Sequence, residues 1–311
     1  MWILFKLCLA AVLGLFFHNA IFMHGEWHMQ APTILKLHIA AFLLIFLLQS
    51  VNGADRGVES FSESFLVIST YLMITLASMV IYRKFFHRLR NFPGPWIAGI
   101  TKFWHVYQCV GSQNHLLLDR LHRKYGPFVR TGPEEITVFH PEILPAVDGP
   151  GNICTKAVWY DLLLPEIALN TTRSKPDHDK RRRIWNHGFS AKALAMYEDR
   201  VTEYAEKLEN RIADLAAKNQ PVNVSSWFYW FTFDVMGEFA FARSFGMLQN
   251  EEWHFAVIML RKAMRLLGPL SPVPWLAQIG FNIVPWLWVV RDWLAMLDWC
   301  RERMSERIKV V

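Results

Sequence analysis

Asn170-Thr-Thr-Arg-Ser-Lys-Pro-Asp-His-Asp-Lys-Arg-Arg-Arg-Ile-Trp-Asn-His-Gly-Phe-Ser190 is the stretch whose reading decides what this chain is. Ser174 and Asp177 have capping-box spacing, with Asp in place of the usual Glu, so a helix is expected to open here. Lys180, Arg181, Arg182 and Arg183 follow side by side, then Trp185 and Phe189. His178 and Arg182 are four apart and share one helical face. Arg offers a planar fork of donors that suits a carboxylate or phosphate. In a mostly apolar chain, such a helix suggests a site for a large dianionic ligand. The competing reading is a solvated basic face on a surface helix.

Upstream of this helix the chain reads as membrane. Over half of its 311 residues are apolar and 14 are Trp, high for a soluble protein. Three apolar segments open it, at roughly 2–17, 34–48 and 65–82; the third is uncharged and close to the roughly 20 residues that span a bilayer. The second lengthens if Lys36 snorkels. The first has the alternative of a cleaved signal peptide, but its one Lys, Lys6, sits inside the apolar run and no small-x-small site follows. Arg83, Lys84, Arg88 and Arg90 follow the third segment at once, which puts that end in the cytosol. The linker Gln49–Ser64, with one Arg and three acids, then lies in the lumen. Lys6 near the lumenal end disagrees mildly. The expectation is three spans with a lumenal N-terminus; a single span at 65–82 is the alternative.

The net charge of +6 is modest, and neither basic cluster has the density of a nucleic-acid tail, so nucleic-acid binding is not expected. Cys8, Cys109, Cys154 and Cys300 have no metal-site spacing, and no disulfide framework is implied.

Past the anchor, Pro93, Gly94 and Pro95 deny helix and form a stiff hinge. His115–Tyr125 reads as a helix stopped by Gly126-Pro127. Phe128–Thr131 and Ile136–Phe139 alternate around Gly132-Pro-Glu-Glu135, a β-hairpin pattern. A short helix starts at Pro141. Residues 148–170, with Trp159 and Tyr160, read as a long irregular loop, usually functional or mobile. Ser190 caps an amphipathic helix, 191–218, with apolar residues at three/four spacing. Residues 226–242 are apolar nearly all round and predict a buried helix; Asp234 and Glu238 argue against a fourth span. Residues 266–290 carry no charge, but Pro269, Pro272, Pro274 and Pro285 make a span implausible. An interfacial loop placing Trp275, Phe281, Trp286 and Trp288 at headgroup depth fits as well as a core loop. A last amphipathic helix covers 293–310.

In this order, these pieces resemble the membrane-anchored cytochromes P-450, in particular fungal ones, over roughly residues 83–311. The resemblance rests on the basic flank and hinge, Lys124-Tyr-Gly-Pro127 with its hairpin, and the loop Gly149–Asp161. It rests above all on the helix His178–Ser190 and on Phe233-Asp-Val-Met-Gly-Glu-Phe-Ala-Phe-Ala-Arg-Ser-Phe-Gly-Met-Leu248. It implies a mainly α fold with a small β-hairpin behind the transmembrane helices: anchor 1–82, hinge region 83–96, and the N-terminal part of the catalytic domain, 97–311. In the family's Trp-x-x-x-Arg pattern, His178 takes the aromatic position and Arg182 the Arg position, so both are haem-propionate candidates, with Arg183 as the register alternative. Trp159 and Tyr160 would border the substrate pocket, and 266–290 would join substrate entry and the membrane. The resemblance implies a monooxygenase of the endoplasmic reticulum membrane with its catalytic part in the cytosol. Its cofactor would be haem, its partner an NADPH-dependent reductase and its substrate an apolar small molecule; analogy points to fungal secondary metabolism. The sequons at Asn170 and Asn223 would then be cytosolic and without consequence.

The resemblance also defines what is not found. The family's thiolate lies in Phe-x-x-Gly-x-Arg-x-Cys-x-Gly, and none of the four cysteines matches. There is no Glu-x-x-Arg and no oxygen-activating acid-Thr helix. The expectation is therefore a chain truncated before those parts, marginally folded, binding haem weakly or not at all, and inactive by itself. The alternative is a non-enzymatic membrane-anchored remnant that interacts with a full-length relative.

Overall fold

The computed structural model describes residues 2–52, 57–149 and 151–309. Residues 53–56 of the proposed lumenal linker, Pro150 of the loop and Val310 at the end of the last helix lie outside them. The described residues are mainly helical, with one two-stranded antiparallel sheet.

Three long apolar helices come first: α1 (Trp2–Phe16), α2 (Ala31–Asn52) and α3 (Gly57–Ile81). With the helical turns at their ends they give candidate membrane spans at Trp2–Phe22, His28–Val51 and Gly57–Phe86. The segments expected at 34–48 and 65–82 are thus too short. A helix from 57 to 86 is about 45 Å long at 1.5 Å per residue, against a hydrocarbon core of about 30 Å. Its first turns, with Glu59 and Glu63, extend beyond the apolar run instead of lying in a linker. The structure also accounts for Lys6, whose ammonium pairs with Glu63 of α3 at 3.2 Å. An ion pair across two helices offsets part of the cost of a lone charge in the first span.

Chain contacts divide the protein into two compact units, Met1–Pro165 with Leu266–Val284, and Glu166–Arg265 with Pro285–Val311. In the first, α4 (Phe103–Gln108) and α5 (Asn114–Tyr125) pack on strands β1 (Phe128–Gly132) and β2 (Glu135–Val138), which pair Phe128 with Val138. Cys109, Leu117, Leu121 and Val129 form the core there. Helix α6 (Ile143–Asp148) and a 3₁₀ turn at Val158–Asp161 follow.

In the second unit, α7 (Lys175–Gly188) leads into α8 (Ala191–Ala217), α9 (Val224–Phe241) and α10 (Met247–Asn250). Ser174 and Ser190 cap α7 and α8 as their positions predict: the Asp177 and Ala193 amides donate to their hydroxyls. Tyr204, Leu208, Trp227, Trp230, Met247, Leu248 and Val257 make the core. Helix α9 is buried on one side only; Phe228, Tyr229 and Met236 are exposed.

Residues 266–290 correct the expected loop. Helix α11 (Phe255–Leu270) holds Pro269 in its last turn, α12 (Pro274–Ile283) begins on Pro274, and α13 spans Trp288–Ile308. A proline at the first helical position loses no internal hydrogen bond, so Pro274 starts a helix instead of breaking one. Helix α12 packs on α2, and buried Gln278 donates to the Asp161 and Leu162 carbonyls at 3.3 and 3.1 Å.

Candidate functional site

The hinge is built on a buried cation. The Arg130 amide donates to the Pro93 carbonyl at 2.7 Å, and a Cβ on Gly94 would meet the Arg130 carbonyl at 2.4 Å. Only glycine lets the Pro93–Pro95 turn lie this close to β1. The Arg130 guanidinium, 6% exposed, donates to the carbonyls of Arg83, Gly99, Gly132 and Pro133. Burial, then Arg83, lowers its pKa. The turn therefore fixes the chain leaving α3 onto the hairpin. Sequence reading missed Arg130, which looks like an ordinary polar position in an alternating strand.

Beside it runs a polar chain. His105, buried on α4, bonds through Nε2 to the Asn114 Oδ1 at 2.8 Å and faces the Lys102 ammonium with Nδ1 at 3.4 Å. Lys102 bonds Glu135 at 2.6 Å, and Thr131 donates to Glu135 at 2.8 Å. The imidazole is thus held neutral: burial first, then Lys102, lowers its pKa, although Asn114 and Glu135 oppose this. The unfolded chain takes up a proton as pH falls through the ordinary histidine value of about 6.5, while the folded state resists until a lower pH. Stability is thus complete above 6.5 and lost below it. His87 and His254, also lowered by burial, add to the loss. The melting temperature is expected to fall between pH 7.5 and 5.5, and His105→Gln is expected to reduce that fall; a flat profile would contradict this.

The candidate ligand site is α7. No residue of this helix is buried. His178 bonds the Asp179 carboxylate through Nδ1 at 3.1 Å. Arg181, though exposed, donates to the Ile167 carbonyl at 3.0 Å. Arg182 and Arg183 are exposed, and neither side chain has a hydrogen bond or ion pair among the described residues. Trp185 and Phe189 stack at 5.8 Å between centroids with a 20° tilt, yet are 54% and 60% exposed. Positions 178, 182, 185 and 189 follow i, i+4, i+7 and i+11, so they share one stripe. Donors occupy its first half and exposed stacked rings its second. That set matches a flat apolar body carrying carboxylates, and the aromatic half was readable from the same spacing.

Trp159 and Tyr160 lie in the first unit, in edge-to-face contact at 5.1 Å, with the Lys156 ammonium 5.2 Å from the Tyr160 ring. Trp275 and Phe281 are half-buried on α12, Trp275 edge-on to Phe103 at 5.8 Å. Trp286 and Trp288 are exposed in the second unit. The sequence candidates are thus divided between the two units, with α7, Trp286 and Trp288 in the second.

Haem, the group the fold family implies, fits α7 at its propionates, by donor chemistry and by the exposed rings. It does not fit at the iron with the cysteines present. Cys109 is buried and bonds the Asn114 Oδ1 at 3.4 Å, and burial pushes both Cys109 and Cys300 up, away from thiolate. Cys8 lies on α1 and Cys154 in the exposed loop after α6.

The family model for cytochrome P-450 matches residues 93–296. The chain is 35% identical to Tryprostatin B 6-hydroxylase of Aspergillus fumigatus over 262 residues, 83% of this chain and 47% of that protein. It is 32% identical over 307 residues to the protein of the same name from Neosartorya fischeri, covering 97% of this chain and 55% of that one. With a cytochrome P-450 monooxygenase of Fusarium pseudograminearum the identity is 37% over 272 residues, 85% of this chain and 48% of the relative. The chain spans about half the length of these relatives. No solved structure matches. The match starts at the hinge and runs through the donor helix α7 into α13, and on that extent the chain belongs to the cytochrome P-450 family.

Proposed function

We propose that this protein serves a membrane-bound monooxygenase that oxidises an apolar small molecule, in fungal secondary metabolism, and that α7 holds haem by a propionate. The observation that carries this is the α7 stripe, where Arg182 has no partner among the described residues and two exposed rings continue the same face. When bound, haem supplies activation of O2 and insertion of one oxygen atom into the substrate. Arg182 would bind the propionate with its guanidinium fork, and His178, held through Nδ1 by Asp179, would donate to it from Nε2 as an imidazolium. Arg183 remains the alternative donor. Trp159 and Tyr160 would contribute apolar surface toward the substrate, and Trp275, Phe281, Trp286 and Trp288 would meet the membrane. An NADPH-dependent reductase would deliver the electrons. The basic residues after α3 favour a cytosolic side for everything after Tyr82, and the family resemblance favours the endoplasmic reticulum as the membrane. Residues 1–311 offer no cysteine in the thiolate motif, and by themselves they are proposed to be inactive.

Arg182→Ala is expected to lower haem content about tenfold at limiting haem, the loss of one charge-assisted contact. Arg182→Lys should restore part of it. Unchanged haem in Arg182→Ala, with loss in Arg183→Ala, would move the site by one residue; no loss in either would overturn it.

A further inference from the structure

The helical turn Tyr82–Phe86, at the end of α3, and the Pro93–Pro95 hinge enclose a pocket of about 100 Å³. Four cations line it, Arg83, Lys84, Arg90 and Arg130, together with Trp96 and Gly99. Among the described residues none of the four forms an ion pair. Glu134, whose charge reaches Arg83 and His87, is exposed and pairs with none of them. Like charges gathered around one small space repel, and an anion inside it removes that cost.

Bonds within the protein do not use up the donors. Arg83 gives Nη1 to the Ile100 carbonyl at 2.9 Å, and Arg90 gives Nη1 to the Phe85 carbonyl. Arg130 spends Nε and Nη2 on its carbonyls, while Nη1 has no hydrogen bond among the described residues. A guanidinium carries five N–H donors, so each fork keeps some. A Cβ on Gly99 would stand 3.2 Å from the Arg130 Nη1. Glycine at 99 therefore keeps that nitrogen uncovered.

Size and charge select the occupant. The volume is well below the roughly 300–1,000 Å³ of drug-sized ligand sites. Water would fill it but leave the charge uncompensated. A terminal phosphate brings a charge of about −1.5 to −2 and three strong acceptor oxygens. A phosphodiester brings one negative charge and is flanked on both sides by substituents. The candidate span of α3 ends at Phe86, and Phe85, Phe86 and Trp96 are exposed beside the pocket. Exposed rings at the end of a span belong at headgroup depth, which makes a lipid the source of the phosphate.

We propose that this pocket binds the phosphomonoester headgroup of an anionic phospholipid of the cytosolic leaflet and so pins the hinge to the membrane surface. This rests on α3 spanning the bilayer with its basic end in the cytosol, and the test separates the two claims. The full chain is placed in phosphatidylcholine nanodiscs containing phosphatidic acid or phosphatidylserine, each with a photoactivatable group beside the glycerol. Labelled residues are mapped by mass spectrometry. Trp96 should be labelled about tenfold more by phosphatidic acid than by phosphatidylserine at equal total charge, the value of one further charge-assisted hydrogen bond. Gly99→Ala crowds Nη1 without removing a charge and should bring the ratio near one, as should Lys84→Gln with Arg90→Gln. Arg88→Gln removes an exposed charge outside the lining and should leave the ratio unchanged. Equal labelling by both lipids in wild type, or a ratio that falls as far in Arg88→Gln, would mean a diffuse basic surface and refute the site. Displacement of the label by millimolar inorganic phosphate would make the occupant a soluble phosphate and overturn the lipid assignment. A second probe, photoactivatable at the acyl end, should label Leu72 and Leu76, exposed on α3. Its failure would overturn the membrane reading, and the lipid with it; its success with no label at Trp96 would refute the site alone. The wild-type ratio decides the matter even if Gly99→Ala fails to fold.

Discussion

Arg130→Met is expected to destabilise the protein by about 4 kcal/mol, in the range for removing a buried charged partner. The guanidinium is buried and serves four carbonyls from three different stretches of chain, the end of α3, residue 99 and the 132–133 turn. Methionine fills much of the volume but donates nothing, so those carbonyls lose their donors at a cost of about 1–3 kcal/mol each where no water replaces it. Lysine would not rescue it, since a single ammonium cannot reach acceptors spread around a planar fork. The hinge should loosen as well, because Gly94 packs on the Arg130 backbone. Thermal melts in nanodiscs would show this, with proteolysis near residues 91–100 rising in parallel. His87, held low by burial and then by Arg130, should titrate higher in the variant. A melting temperature within a degree of wild type would contradict the buried-cation account.

Asp234→Ala is expected to cost about 3 kcal/mol, two buried amides being left unpaired. Asp234 is 1% exposed, and its two carboxylate oxygens accept the Met247 and Leu248 amides at 3.1 and 2.8 Å. Those are the first amides of α10, whose own start is Gly246 at φ +72° and has no side chain to offer. A carboxylate from α9 thus caps a different helix and ties α9 to the core residues Met247 and Leu248. Asp234→Asn keeps one acceptor and should lose about half as much. Chemical denaturation reports both, and equal losses would mean that charge, not acceptor number, is what matters.

Local signals carried most of the fold. The hairpin was legible because Phe128–Phe139 alternates, and α8 because its apolar residues recur every three or four positions. The caps at Ser174 and Ser190 follow from residue type at a boundary. Residues 266–290 misled, since proline counts were read as broken structure; Pro274 starts a helix, where proline costs little, and Pro269 falls only in the last turn of α11. The long-range features were not legible. Nothing in the local pattern of Phe128–Thr131 says that Arg130 turns into a nest of carbonyls, and nothing near Asp234 says that its acceptors serve residues 13 and 14 positions later. The His178–Arg182 spacing was readable, and the same spacing extends the face to Trp185 and Phe189, whose exposure and stacking only the structure shows.

The central claim is that α7 supplies a haem-propionate side and that no cysteine of residues 1–311 supplies the thiolate. The reduced-CO difference spectrum of residues 1–311, expressed in microsomes with added haem, tests it most directly. The account predicts no thiolate-type Soret band, with residual haem binding that Arg182→Ala weakens. A thiolate-type band would contradict it, because one of Cys8, Cys109, Cys154 or Cys300 would then have to reach the iron.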